Sequence, residues 1–255
     1  MSDCLVSVIL PNYNNGNVIR YAIDSVLAQT YASLELIIVD DGSTDNSISI
    51  IDSFVKKDTR VKPIYLNNNF GRSYARNLAI DKSIGRYVAF IDADDIWYKS
   101  KLEKQSQLLN DADHEFVGVC TGYSIFSNYK DLEKYDKIIS LRVNKLFSED
   151  LRYVNPIALS TAIIDKSKIG DCKFQSGYRE DYKYWVCVLK RGMYFSVIKE
   201  SLVHYHSPRG GSLFTKRTRN AKEQYKIYKN YYKYNTLKSV YYFLVYVLLS
   251  FKKYL

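Results

Sequence analysis

The sequence predicts an α/β fold, a mostly parallel sheet with helices on both faces, running on into a basic, tyrosine-rich helical tail. Three observations carry this. Through the first 125 residues, short apolar runs alternate with segments of helical periodicity. The runs are apolar at nearly every position, as in strands covered on both faces. Each run also ends in polar residues, and open α/β sheets bind their ligands at the carboxyl ends of the strands.

Leu5–Leu10 is the first run, ended by Pro11, which has no N–H to give a sheet ladder. Asn17–Ala28 sets Val18, Ile19, Ala22, Ile23, Val26 and Leu27 at helical spacing. Leu34–Val39 is a second strand, closing on Asp40-Asp41-Gly42. Ser43 or Thr44 is placed to cap a helix carrying Ile48, Ile51 and Val55. Val61–Leu66 reads as a third strand, Arg72–Lys82 as a helix, and Tyr87–Ile91 as a fourth strand ending in acids. Lys101–Leu109 is a helix and Phe116–Tyr123 a strand. Residues 126–150 are polar and irregular, a connection or mobile loop. A strand (Ser160–Asp165), a helix (Glu180–Lys190) and two short strands (Tyr194–Ile198 and Leu202–Tyr205) follow.

A chain of 255 residues, 47% hydrophobic and 25% charged, has the composition of an ordinary folded protein, which excludes disorder, a collagenous repeat and a disulfide-stapled mini-protein. The net charge of +10 is unevenly placed. From Lys216 to Leu255, ten Lys/Arg stand against one acid, Glu223, and the rest of the chain is close to neutral. The basic character belongs to the tail, so the whole molecule does not read as a nucleic-acid binder. Cys4, Cys120, Cys172 and Cys187 lie far apart with no C-x-x-C pair, and are expected as four free thiols in a reducing compartment. The N-terminus lacks the basic and long apolar regions of a signal peptide, so a cytoplasmic protein is expected. No run reaches the ~20 apolar residues that cross a bilayer. Val240–Phe251, flanked by Lys238 and Lys252-Lys253, suits a helix lying in the membrane interface; packing on the protein's own core is the other reading.

Asp92-Ala93-Asp94-Asp95 crowds three carboxylates that repel one another unless a positive group joins them. Hard oxygens suit Mg²⁺ or Mn²⁺, bound by one or two carboxylates plus substrate phosphates. An EF-hand fails, because Trp97 stands where that loop requires Gly. A solvated turn with an Asp helix cap accounts for the acids equally. Asp40 through Asp45 reads as an Asx-turn into a capped helix, yet this leaves two consecutive acids at a strand end unexplained. A carboxylate there can accept the imide N–H of a uracil ring or a ribose hydroxyl. No G-x-G-x-x-G follows the first strand, and neither a P-loop nor a G-x-S-x-G elbow occurs. Asp181 stands at a helix start, where the dipole favours its anion; ordinary N-terminal helix charge accounts for it as well. His204 and His206 share one face of a strand, open to phosphate or metal contact or to a structural role.

Taken together, these segments resemble family 2 glycosyltransferases. The resemblance rests on Ser7–Asn14 (SVILPNYN), Ser25–Thr30 (SVLAQT), Glu35–Asp45 (ELIIVDDGSTD), Asn69-Phe70-Gly71 with Ala75-Arg76-Asn77, the DXD-like Phe90–Asp95 (FIDADD), Glu180-Asp181 with Trp185, and Tyr205–Leu213. It covers residues 5–213 and implies a GT-A fold and inverting sugar transfer from a nucleotide-sugar, a UDP-hexose or UDP-N-acetylhexosamine. On that resemblance Pro11, Tyr13 and Asp41 contact the nucleotide base, and Arg72 lies near them. Asp92 and Asp94 hold ribose, diphosphate and a Mn²⁺ or Mg²⁺ ion, with Asp94 the direct metal ligand. Asp181 is the general base. Many relatives have Arg where this chain has His206, so any hold on diphosphate there would be weaker and pH-dependent.

Residues 1–215 are then expected as the glycosyltransferase domain, 1–125 binding donor and 126–215 binding acceptor, with 216–255 as a membrane-association tail. Lys222, Lys226, Lys229 and Lys233 fall on one helical stripe interleaved with tyrosines, suited to anionic lipid; a solvated basic face of a surface helix is the other reading. The resemblance implies a peripheral protein on the inner face of a bacterial inner membrane, extending a polyprenyl-diphosphate-linked saccharide for capsule or O-antigen. Two other classes compete. A sugar nucleotidyltransferase also needs a nucleotide crevice and paired acids. An RNA-binding module would use the basic tail but leave the acidic strand ends without purpose.

Overall fold

The computed structural model describes residues 4–109, 115–132, 134–153, 155–190, 192–207 and 213–252, without the side chains of 213–221 and 249–252. The first half alternates β1 (Val6–Asn12), α1 (Ile19–Leu27), β2 (Leu34–Asp40), α2 (Ser47–Val55), β3 (Val61–Tyr65), α3 (Arg72–Lys82) and β4 (Tyr87–Phe90). Then come β5 (Ile96–Trp97), α4 (Lys101–Leu109), β6 (Gly118–Phe126), β7 (Lys137–Ile139), β8 (Lys145–Leu146), β9 (Ile163–Asp165), α5 (Glu180–Leu189) and β10 (Phe195–His206). Helices α6 (Leu213–Asn230) and α7 (Thr236–Lys252) end the described chain.

Among the described residues the strands form one ten-stranded sheet, ordered β3-β2-β1-β4-β9-β6-β10-β5, with β7 beside β6 and β8 beside β10. β3, β2, β1 and β4 are parallel. β9 runs antiparallel between β4 and β6. The chain order reverses between β1 and β4, which opens a crevice beyond their carboxyl ends. Pro11 lies past the last β1–β4 pair, Ile9 with Phe90, so its missing N–H interrupts no ladder on that side.

Alternate residues of these strands feed two apolar layers. Ile9, Ile37, Val39, Val88 and Phe90 pack with Ala75, Ala79 and Ile80 of α3 and with Tyr184, Trp185 and Val188 of α5. Val8, Leu10, Leu36, Ile38 and Ala89 face the other way, against Ile19, Ala22 and Ile23 of α1, Ile51 and Phe54 of α2, and Leu102 of α4. Both faces are covered, which is why β1 and β2 are buried at every position.

Several expectations need correction. The strand expected over Ser160–Asp165 is shorter, because Leu159–Thr161 form a 3₁₀ turn and only Ile163–Asp165 pair as β9. The two short strands after α5 are one, β10, whose register against β6 shifts between Ile198 and Ser201 and again before His204. Residues 126–150 contribute the two short antiparallel strands β7 and β8. Neither Ser43 nor Thr44 caps α2. Ser43 Oγ donates to Asp40 (2.6 Å), and the Asp45 carboxylate accepts the Ser47 N–H at 2.9 Å. Finally, Cys172 and Cys187 form a disulfide, with Cα atoms 5.9 Å apart, and only Cys4 and Cys120 are free. The packing of α5 brings together cysteines 15 residues apart in sequence, a proximity that C-x-x-C counting does not detect.

α6 is seated on the sheet domain: Ile227 and Tyr228 are fully buried, and Tyr228 Oη donates to the Arg152 carbonyl at 2.6 Å. α7 packs on α6 through Tyr242 against Tyr228 and Phe243 against Tyr225. Lys233 lies in the turn beyond α6 and so leaves the expected lysine stripe. No helix of the described residues is long and apolar enough to cross a membrane.

The disulfide makes a countable prediction. In denaturant without reductant, thiol titration is expected to find two reactive thiols per chain, rising to four after reduction; four at the outset would refute the bridge.

Candidate active site

The crevice holds two neighbouring cavities. One, of about 410 Å³, is lined by Pro11, Asn12 and Tyr13 after β1, Asp41 after β2, Asn69 and Gly71 before α3, and Asp92 and Ala93 after β4. The other, of about 610 Å³, is lined by Asn155, the 157–159 segment, Tyr178 through Asp181, Tyr123 and Tyr205. Arg72, at the start of α3, and Asp92 belong to both walls. Pro11, Tyr13, Asp41, Arg72, Asp92 and Asp181 are thus brought together as their positions in the sequence suggest.

The acids arrive in neighbouring pairs that take different tasks. Asp40 is fully buried and accepts from Asn12 Nδ2 (2.7 Å), Ser43 Oγ (2.6 Å) and the Ser43 N–H (2.9 Å), which fixes the turn after β2. Asp41 accepts the Phe70 N–H at 2.8 Å and the Gly71 N–H at 2.7 Å, so it holds the loop before α3 over the smaller cavity. Each of its oxygens keeps a further lone pair for a ligand donor. Gly42 makes this approach possible: its φ is 75°, and a β-carbon there would lie 2.8 Å from the Asn68 carbonyl carbon.

Beyond β4, Asp92 receives the Arg76 guanidinium at 2.6 Å. Asp94 is 43% exposed and lies 3.3 Å from His206 Nδ1. Partial burial and the neighbouring Asp92 charge raise its pKa. Asp95 is buried; it takes a short hydrogen bond from Ser160 Oγ and the His206 N–H at 2.9 Å, tying this turn to β10. Burial, with Asp92 and Asp94 close by, pushes its pKa well up. The third acid of the cluster is therefore structural.

Among the described residues no group of three or more His, Cys, Asp or Glu could hold a metal ion. The donor set is smaller, Asp92 on the cavity wall and Asp94, which lines neither cavity, and burial followed by the Asp92 charge raises the Asp94 pKa. One or two hard carboxylates fit a Mg²⁺- or Mn²⁺-type ion completed by substrate phosphates. His204 is set apart from this: its Nδ1 lies 2.8 Å from Ser124 Oγ, its ring stacks on Tyr98, and burial lowers its pKa. Of the Tyr205–Leu213 loop, residues 208–212 lie outside the described residues.

At the start of α5 the acids divide again. Glu180 is buried against Arg76 Nη1 (2.6 Å), Arg72 Nε (3.2 Å) and Ser73 Oγ. Asp181 faces the larger cavity and accepts from Asn155 Nδ2 at 2.8 Å. Burial raises its pKa, with Arg76 acting in the opposite sense. Sequence reasoning gave Arg76, Glu180 and Asn155 no such tasks. Arg76 did carry a signal: on the side of α3 that buries Ala75, Ala79 and Ile80, a charged residue implies buried partners.

A scan against protein-family models matches residues 7–166 to glycosyl transferase family 2. TuaG of Bacillus subtilis (strain 168), a glycosyltransferase assigned to teichuronic acid biosynthesis, is 33% identical over 98% of this chain and 97% of its own. WfgD of Escherichia coli, a UDP-Glc:α-D-GlcNAc-diphosphoundecaprenol β-1,3-glucosyltransferase, is 30% identical over 99% and 96%. The solved structure of S. aureus TarS 1–349 with UDP-GlcNAc superposes with a TM-score of 0.70 at 17% identity, over 95% of this chain and 71% of that one. The mannosyltransferase PcManGT from Pyrobaculum calidifontis with GDP-Man and Mn²⁺ does so with 0.62 at 18%, over 91% and 65%.

Removing the Arg76 charge tests the network. Arg76→Met leaves Glu180 and Asp92 without their buried partner and is expected to cost about 3–5 kcal/mol in urea denaturation; a loss under about 1 kcal/mol would show that the pair does not hold the site.

Proposed function

The chain belongs to glycosyl transferase family 2 and has the GT-A fold, and from that premise we propose that it is an inverting glycosyltransferase acting on a polyprenyl-diphosphate-linked saccharide. Its donor is a UDP-sugar, a UDP-hexose or UDP-N-acetylhexosamine, in bacterial surface polysaccharide synthesis. WfgD and WfaP, both named as UDP-Glc:α-D-GlcNAc-diphosphoundecaprenol glucosyltransferases, support the donor and the acceptor class. The carrying observation is the common wall: Asp41 lines one cavity, Asp181 the other, and Asp92 both.

In this reading the smaller cavity takes the nucleotide. Tyr13, 43% exposed, offers a ring face to the base beside Pro11, and Asp41 accepts its imide N–H. Arg72, 69% exposed at the junction, supplies positive charge close to the departing diphosphate. A divalent cation, Mn²⁺ or Mg²⁺, held by Asp94 beside Asp92 would neutralise charge on that leaving group. Asp181 takes the proton from the acceptor hydroxyl as it attacks. Asn155 occupies one Asp181 oxygen, and burial, by raising the pKa, makes the carboxylate a stronger base. Glu180 is engaged by arginine, so one carboxylate at the start of α5 is left for a single displacement, which inverts the anomeric centre.

The helix pair α6–α7 supports peripheral attachment to the inner face of the bacterial membrane. Leu237, Tyr241, Leu244 and Leu248 recur at helical spacing and are 84, 60, 55 and 68% exposed. Lys222, Lys226, Lys233 and Lys238 are exposed on the same hairpin and carry the charge that anionic lipid attracts.

The decisive assay mixes the protein, Mn²⁺, UDP-glucose or UDP-GlcNAc, and GlcNAc-diphosphate carrying an undecyl chain. UDP and a longer saccharide are expected; pyrophosphate would favour a nucleotidyltransferase, and no UDP from either donor would sink the proposal. Asp181→Asn should lower transfer by about 10²–10⁴-fold while donor binding, measured by calorimetry, is kept. The base acts only when ionised and its pKa is raised, so the wild-type rate should rise with pH through a limb lying above the usual aspartate range. A limb at the usual aspartate value would count against the assignment. Leu237→Gln with Leu244→Gln and Leu248→Gln should weaken sedimentation with phosphatidylglycerol vesicles about tenfold or more. Unchanged sedimentation would remove the apolar ridge as the anchor.

A further inference from the structure

Arg179 immediately precedes the Glu180-Asp181 pair. Its φ of 57° and ψ of 43° put a residue with a β-carbon in the left-handed region. Such a conformation persists where the surroundings hold it. Its carbonyl accepts the Lys183 N–H at 3.1 Å, closing the first turn of α5 around Asp181. Its guanidinium turns toward the C-terminal helices: Nη1 donates to Gln224 Oε1 of α6, and Nη2 to Tyr246 Oη of α7 at 2.8 Å. The same group lies over the Tyr246 ring at 5.2 Å and the Tyr182 ring at 5.9 Å. Gln224 is fully buried and also donates to Tyr182 Oη on α5 at 3.2 Å.

We infer that Arg179 is a positioning residue, through which α6 and α7 hold the first turn of α5 and with it Asp181 in the orientation that transfer requires. This rests on Asp181 being the base, as proposed above. A tail serving only to attach the protein to lipid needs no planar, two-pronged contact with a residue two positions before the base. Arg supplies that contact because its fork can donate to two helices at once while its face covers two rings. The C-terminal helices are then part of the catalytic apparatus even away from a membrane.

The test uses the full chain without vesicles. Tyr246→Phe keeps the ring and removes the accepting oxygen; Arg179→Met removes the fork. In both, hydrogen exchange at the amides of Tyr182 and Lys183 should quicken about tenfold, with β1 and β2 as protected as in wild type. With UDP-glucose and the undecyl-linked acceptor, kcat should fall about tenfold and the donor KM stay within about twofold. Arg179→Lys, charged but without the fork, should resemble Arg179→Met. Unchanged exchange in that turn overturns the inference. So does unchanged kcat in a protein whose Asp181→Asn variant has lost transfer. Transfer retained by Asp181→Asn would instead overturn the base assignment, and the exchange rates would still decide whether the clamp holds α5.

Discussion

One buried guanidinium organises the crevice. Arg76, 2% exposed, lies between Asp92 after β4 and Glu180 at the start of α5, 2.6 Å from each. A parallel sheet that ends several strands in acids gathers negative charge where it binds its ligand. Desolvating those carboxylates is costly, and unpaired they would be neutralised or would push the elements apart. Arg76 compensates two of them and ties α3 both to the turn after the neighbouring β4 and to α5, about a hundred residues further on. Asp181 is left facing the larger cavity and Asp94 half-exposed beside His206, both with pKa values raised by burial.

The same division recurs at each acidic segment. Asp40 binds its own turn while Asp41 reaches across to the loop before α3. Asp95 ties β10 to the turn after β4 while Asp94 stays half-exposed. Glu180 pairs with arginine while Asp181 lines the cleft. Neighbouring residues at a strand end or helix start point in different directions, so one acid can secure the backbone and the next face the ligand. A doubled acid in this fold is a support and a working group side by side.

The C-terminal helices contact the domain on one side and leave an apolar ridge exposed on the other. α6 buries Ile227 and Tyr228 on the domain, and α7 turns Leu237, Leu244 and Leu248 outward. The inward contacts end at Arg179, two residues from Asp181. On the function proposed above, a lipid-linked acceptor would meet Asp181 close to the helices that carry this exposed ridge.

Much of this was legible in the residues. LELIIV and SVIL read as buried strands because helices on both faces leave such strands no polar side, and Asp41 and Asp92 stood out as crowded acids at strand ends, whereas Asp181, which a helix dipole alone explains, took its expected task from the resemblance. Ser43 was misread as a cap because a hydroxyl before a helix has two possible partners, and the Asp40 carboxylate took it. Cys172 and Cys187, Arg76 with Glu180, and Arg179 with Gln224 and Tyr246 were not legible. The sequence by itself determined the parallel sheet, the crevice at its strand ends and the family, since these follow from local periodicity and from motif order along the chain. Only the tertiary structure decided which acid of each pair is tied down, because that depends on partners up to about a hundred residues away whose approach is set by how the helices pack on the sheet.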